Sequence, residues 1–253
     1  MFFPYRDENQ TQRRSVVTIL IILANVAVWL LVQGAGAARP LARSVCELGL
    51  IPGELTGLVQ PGTEFPVGRG LSCLTEQGHH LSHVITSMFL HGSWLHLIGN
   101  MWFLWLFGDN VEDSMTRPRF VVFYLACGLA AAAAQVVSQP GSALPMVGAS
   151  GAISGVMGAY LVLYPRVRVF VLVFLGFFIT TLAVPAWAML LYWIGIQVVS
   201  GLAAAGDHAG GVAFWAHVGG FAAGVLLVRI FGRRDRIAAH GAGRWRPQRL
   251  GWR

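Results

Sequence analysis

The chain has no lysine. Its eighteen basic side chains are all arginine. Charge of either sign is scarce: 11% of the 253 residues are charged and 55% are apolar, with a mean hydropathy of +0.61. Soluble domains carry about 25% charged residues. That deficit excludes a chain that faces water throughout. The net charge of +7 lacks the interleaved basic and aromatic residues of a nucleic-acid groove, so no nucleic-acid partner is expected. Three cysteines are too few for a disulfide-built scaffold. Cys127 lies in an apolar run and reads as a small buried hydrophobe. Cys46 and Cys73 share one long loop, where a disulfide and two free thiols are equally compatible with the sequence. There is no His-Glu-x-x-His string, so neither a metal nor another cofactor is expected. The His79, His80 and His83 cluster reads as a solvated patch. Internal repeats and helices broken in matching halves, the marks of a transporter, are also missing.

What the chain does have is apolar runs of membrane-spanning length, about 17–25 residues. They are Val16–Val32, a stretch within Ile85–Phe107, Phe120–Val137, Gly148–Tyr164, a stretch within Val167–Ala205, and Val212–Phe231. Arg13 and Arg14 before the first run, and the small residues after it, resemble a signal peptide. The run is longer than a signal core, and a retained helix is expected. The run 167–205 admits one span or two. Arginine placement decides: with six spans, fifteen of the eighteen arginines fall on one side, as the positive-inside rule requires. The expectation is therefore an all-α, six-transmembrane-helix bundle in the cell membrane with both termini cytosolic. Residues 1–14 form a cytosolic segment, 15–231 the membrane domain with a long outer loop at 33–82, and 232–253 an Arg-rich, disordered cytosolic tail. The fifth span is expected at Ala183–Ser200. Val169–Thr181 is expected to pack at the interface or extend that helix.

Polar residues inside spans are costly and mark function. Span 2 carries His91, His96 and Asn100, span 4 carries Ser150 and Ser154, and span 6 carries His217. In a six-span topology these helices run in the same direction, and the polar residues sit near their N-terminal ends at one depth. Span 4 is short, about 24 Å from Ser150 to Pro165, against a hydrocarbon core of about 30 Å. Ser150 therefore starts its helix below the outer surface, and the loop Pro140–Ala149 must dip inward. At a helix start the Ser150 backbone N–H is free to face an oxyanion. The hydroxyl needs a base, and His217 is the histidine of span 6. Gly151, Gly155 and Gly158 on span 4, with Gly220 and Gly224 on span 6, form small-residue faces that let two helices approach closely. His96 and Asn100 share a helix face and can donate to an oxyanion. Asp109 lies about 20 Å further along that helix, so no acidic third member is expected. Each feature alone is more often packing than chemistry. Together they point to a Ser–His dyad.

Three strings, His91-Gly-Ser-Trp-Leu-His96-Leu-Ile-Gly-Asn100-Met, Gly148-Ala-Ser150-Gly151 and Ala216-His217-Val-Gly-Gly220-Phe-Ala-Ala-Gly224, resemble the rhomboid family of intramembrane serine proteases, in family order. The resemblance implies a six-helix bundle and a Ser150–His217 dyad. It implies an oxyanion hole from Asn100, His96 and the Ser150 backbone, and single-span membrane proteins as substrates. His91 matches a further family histidine. Two departures stand out. A tyrosine that stacks on the base in some bacterial members is replaced by Ser154, and the outer loop lacks a clear Trp-Arg string.

Overall fold

The computed structural model describes residues 2–68, 70–76, 78, 80–175, 178–204 and 212–241. The chain begins with a strand, β1 (Phe2–Asp7), and enters α1 (Val16–Leu31). The outer loop holds α2 (Ala38–Leu48), the single turn α3 (Pro52–Thr56) and a hairpin of β2 (Glu64–Gly68) and β3 (Leu71–Leu74). A short turn, α4 (His83–Thr86), leads to α5 (Trp94–Asp113), α6 (Arg117–Ser138) and α7 (Ser150–Leu163). A second hairpin, β4 (Arg168–Leu175) and β5 (Phe178–Pro185), precedes α8 (Ala186–Ala203), α9 (Phe214–Phe231) and α10 (Arg234–Gly241).

The fold is mostly helical, and among the described residues α6, α8 and α9 are long and apolar enough to cross a membrane. Helices α1 and α7 are apolar but shorter, at 16 and 14 residues. Helix α5 has 20 residues and ends in charge, at Asp109, Glu112 and Asp113. Among the described residues the main core cluster holds Phe107, Phe120, Phe123, Tyr124, Met157 and Tyr160 almost wholly buried, and a smaller one in the outer loop is built on Ile51, Phe65 and Cys73.

Several expectations need correction. The all-α reading missed the five strands β1–β5 found among the described residues. The segment 169–181, expected at the interface or as helix, forms the β4–β5 hairpin, with Arg168 opposite Pro185 and Leu175 opposite Phe178. Strand β1 pairs with β4 on its other edge, so part of the N-terminal segment 1–14 belongs to a sheet. The physical reason lies in composition: β-branched and aromatic residues alternate through Val169-Phe-Val-Leu-Val-Phe, and such residues favour a pleated, half-buried surface over a helix. Val169 and Val171 turn into the core. The tail is not wholly irregular either, because α10 forms and Arg236 donates to the Met115 carbonyl. Residues 242–253 of the tail lie outside the described residues. The outer loop is tied by a Cys46–Cys73 disulfide, with Cα atoms 5.7 Å apart. His80 and His83 stack at 4.7 Å, while His79 lies outside the described residues.

Helix α5 starts at Trp94, later than the apolar run suggested. Ser93 is extended and its hydroxyl accepts the His96 N–H, an N-cap that fixes the helix start. His91 therefore sits before the helix and not within it.

Candidate active site

Helix α7 begins at Ser150 because the loop before it ends in a residue that only glycine tolerates. Gly148 has φ +128°, a left-handed conformation open mainly to glycine. A Cβ there would lie 2.8 Å from His96 Nε2 and 3.6 Å from Asn100 Nδ2. The loop is pinned from outside by Gly148 N–H to Ser87 O at 2.9 Å, and by paired backbone bonds between Leu50 and Met146 at 3.1 and 2.7 Å. Its backbone is thereby pressed against His96 and Asn100, immediately before Ser150.

Helices α7 and α9 meet with almost no side chain between them. A Cβ on Gly224 would lie 1.8 Å from the Gly155 carbonyl oxygen, and one on Gly220 would lie 2.0 Å from that of Gly151. On Gly158 it would lie 2.2 Å from the Phe221 carbonyl oxygen. Backbone contact of this kind sets the helix separation by glycine alone. It brings Ser150 Oγ to 2.8 Å from His217 Nε2. His217 is buried, at 8% exposure.

The other ring nitrogen of His217 faces a residue that sequence reasoning did not single out. Nδ1 lies 2.7 Å from Gln197 Oε1 on α8. Trp193, one turn earlier on α8, sets its ring 5.7 Å from the imidazole at 40°. The signal was present in the sequence: Gln197 is the lone carboxamide in the apolar stretch 167–204. Ser154, at the position of the missing tyrosine, donates to the Ser150 carbonyl at 2.6 Å and so packs along its own helix.

His96 and Asn100 converge on the Gly148 backbone. His96 Nδ1 accepts from Gly92 N–H at 3.3 Å, which leaves Nε2 to carry the hydrogen and donate. Asn100 is buried, at 8% exposure, and its Nδ2 has no hydrogen-bond partner. A buried donor left unpaired costs about 1–3 kcal/mol, so the position calls for an acceptor. His91 is buried with its ring 5.1 Å from that of His96. Gln33 grips its backbone through bonds of 2.8 and 2.9 Å. Asp109 is occupied at the other end of α5, where its carboxyl accepts from Asn110.

Apolar helices of this length, with a serine, two histidines and an amide towards one end of the bundle, are those of a multi-pass membrane protein. The chain belongs to the rhomboid family: residues 78–234 match the Rhomboid domain. Among relatives, it is 27% identical over 172 residues to the mitochondrial Rhomboid protein 1 of Saccharomyces cerevisiae, covering 64% of this chain and 46% of that one. It is 40% identical over 78 residues to "Rhomboid protease GluP" of Bacillus subtilis, 31% of this chain and 15% of that one. It is 29% identical over 157 residues to the human mitochondrial presenilin-associated rhomboid-like protein, 58% and 37% of the two chains. The chain spans less than half the length of these relatives. His91, His96, Asn100, Ser150, Gln197 and His217 all fall inside the matched region.

Proposed function

We propose that this protein is an intramembrane serine endopeptidase that cleaves single-span membrane proteins within or near their transmembrane segment. The observation that carries the reading is the 2.8 Å contact between Ser150 Oγ and His217 Nε2 at a helix start, beside two donors that face the same backbone. Ser150 Oγ attacks the scissile carbonyl carbon as His217 Nε2 takes its proton. The oxygen that becomes negative is held by Asn100 Nδ2, His96 Nε2 and the Ser150 backbone N–H. His217 then passes the proton to the leaving amine, and water enters to hydrolyse the acyl-enzyme by the same steps.

The reading places α1, α5, α6, α7, α8 and α9 across the cell membrane as six spans, with residues 1–14 and 232–253 cytosolic. Short spans and charged span ends fit helices whose ends stop inside the bilayer or at its surface. The arginine bias supports the orientation. Reporter fusions at both termini test it, and a C-terminal tail on the outer side overturns it.

The decisive experiment uses the purified full chain in lipid with a model single-span substrate and a serine-reactive fluorophosphonate. Ser150→Ala and His217→Ala are each expected to abolish cleavage and labelling while the protein stays folded. Wild-type turnover by the Ser150→Ala variant overturns the mechanism.

A further inference from the structure

We propose that Gln197 is a positioning residue for His217: its amide oxygen holds the imidazole hydrogen on Nδ1, so that Nε2 faces Ser150 as a base. The inference rests on the protease reading above and adds a third member to its dyad. A neutral imidazole carries one hydrogen, and which nitrogen bears it is set by the bond the other makes. For Nε2 to accept the Ser150 proton, the hydrogen must sit on Nδ1, and an Nδ1–H in an apolar bundle needs an acceptor. Gln197 Oε1, at 2.7 Å, is that acceptor. The opposite amide rotamer would present Nε2–H to Nδ1 and drive the ring hydrogen toward Ser150, where the nitrogen could no longer take a proton. When His217 becomes an imidazolium, the same bond persists and is strengthened by charge.

Trp193 and Gln197 are four residues apart, so they share one face of α8. One covers the imidazole ring and the other holds its far edge. With Ser150 on Nε2, the ring is fixed on three sides. Helix α8 has little other reason to hold a carboxamide. Apart from Gln197, Tyr192 and Ser200 it is apolar, and its buried residues are only Ala186, Leu190 and Gly201. No carboxylate takes this role among the described residues. The charged groups on the elements packed around His217 lie at the far helix ends: Asp109, Glu112 and Asp113 on α5, Arg117 and Arg119 on α6, Arg229 on α9.

The test compares Gln197→Met, which keeps length and loses the amide, with Gln197→Glu, which restores an acceptor. Gln197→Met is expected to lower kcat by about 10–100-fold, the scale seen when a metal-bound histidine loses the partner that orients its ring. KM should stay within about twofold and Ser150 labelling should slow in parallel, because both need the base and neither probes substrate docking. Gln197→Glu is expected to recover most of that loss and to move the acid limb of the pH–rate profile upward, since a carboxylate favours the imidazolium. Wild-type kcat and labelling in Gln197→Met, alongside a labelled wild type, overturn the Gln197 role alone. If Gln197→Met does not fold, Gln197→Glu decides: an unshifted acid limb overturns the role. Wild-type chain that is not labelled, or Ser150→Ala that is labelled equally, overturns the protease reading and this role with it.

Discussion

The two ends of α5 hold polar groups of different kinds. At the Trp94 end, His96 and Asn100 face the Gly148 backbone just before Ser150, which meets His217 and through it Gln197, and none of these is a carboxylate or a guanidinium. At the Asp113 end, Glu112 accepts from Val17 N–H, Thr18 N–H and the Thr18 hydroxyl at 3.0, 2.8 and 2.8 Å, capping the start of α1. Asp113 accepts from Gln12 N–H and pairs with Arg13 at 3.2 Å. Asp7 accepts from Asn110 at 3.2 Å and from the Tyr160 hydroxyl. Burying a permanent charge costs several kcal/mol unless it is fully paired. The end that carries full charge uses it to tie the N-terminal segment and α1 to the bundle. The other end builds its hydrogen bonds from groups that carry no permanent charge. Substitutions at the two ends should therefore separate turnover from stability.

The largest expected effect is at the neutral end. Asn100→Ala should lower kcat by about 10²–10³-fold, the cost of one lost oxyanion donor in soluble serine proteases. Its unfolding temperature should hardly fall, because the donor it removes has no partner in the free enzyme. Some Ser150 reactivity toward a small electrophile should remain. A destabilised Asn100→Ala enzyme with wild-type kcat per folded molecule would make Asn100 glue between helices and break the contrast. At the charged end the outcome should reverse. Glu112→Ala leaves three buried donors unpaired, a loss of about 3 kcal/mol or more, or roughly 10 °C in unfolding temperature. Its kcat per folded molecule should stay near wild type. Glu112→Gln, which keeps one acceptor oxygen, should recover part of the loss. A large fall in kcat for Glu112→Ala would show that the two ends are coupled.

The neutral end was far more legible in the sequence than the rest. Serine, histidine and asparagine stand out in apolar runs because burying them is costly, and glycines at helical spacing announce close approach. Gln197 was equally visible in kind, but it lies in the stretch 167–204, whose path the sequence left open. Trp193 looks like any aromatic of a lipid-facing helix until its partner is known. The β4–β5 hairpin was hidden for a related reason: a long apolar run fits a span and a sheet alike, and its other edge is covered by β1, which lies more than 160 residues away in the chain. The late start of α5 depended on one hydroxyl, that of Ser93, a local competition that apolar periodicity does not register. The charged end was read as an arginine bias and, at Asp109, as too distant for an acidic third member. That Glu112 would turn to α1 follows from a tertiary contact between positions 94 and 95 residues apart.

The smallest expected effect sharpens the contrast at the charged end, at Asp7 of β1. Burial pushes its carboxyl from 3.8 up to about 6, against the lowering effect of the Tyr160 hydroxyl bond. A carboxyl raised in this way binds its proton more tightly in the folded state than in the unfolded one. Its contribution to stability is therefore fully present below about 3.8 and is lost as pH rises through about 6. Above that window the folded protein carries a buried charge at a cost of at most about 3 kcal/mol. Asp7→Asn keeps an oxygen for Tyr160 and Asn110 and has no proton to lose. Unfolding temperatures of the wild type and of Asp7→Asn, measured from pH 4 to pH 8, should diverge in favour of the variant up to about pH 7 and run parallel beyond it. Cleavage per folded molecule should be equal in the two proteins, because Asp7 sits at the end of the bundle away from Ser150. Curves that stay parallel across the whole range would mean that Asp7 is already paired as an anion in the fold. A cleavage difference at constant folding would mean that the β1 strand acts on the site through α7, whose Tyr160 it holds.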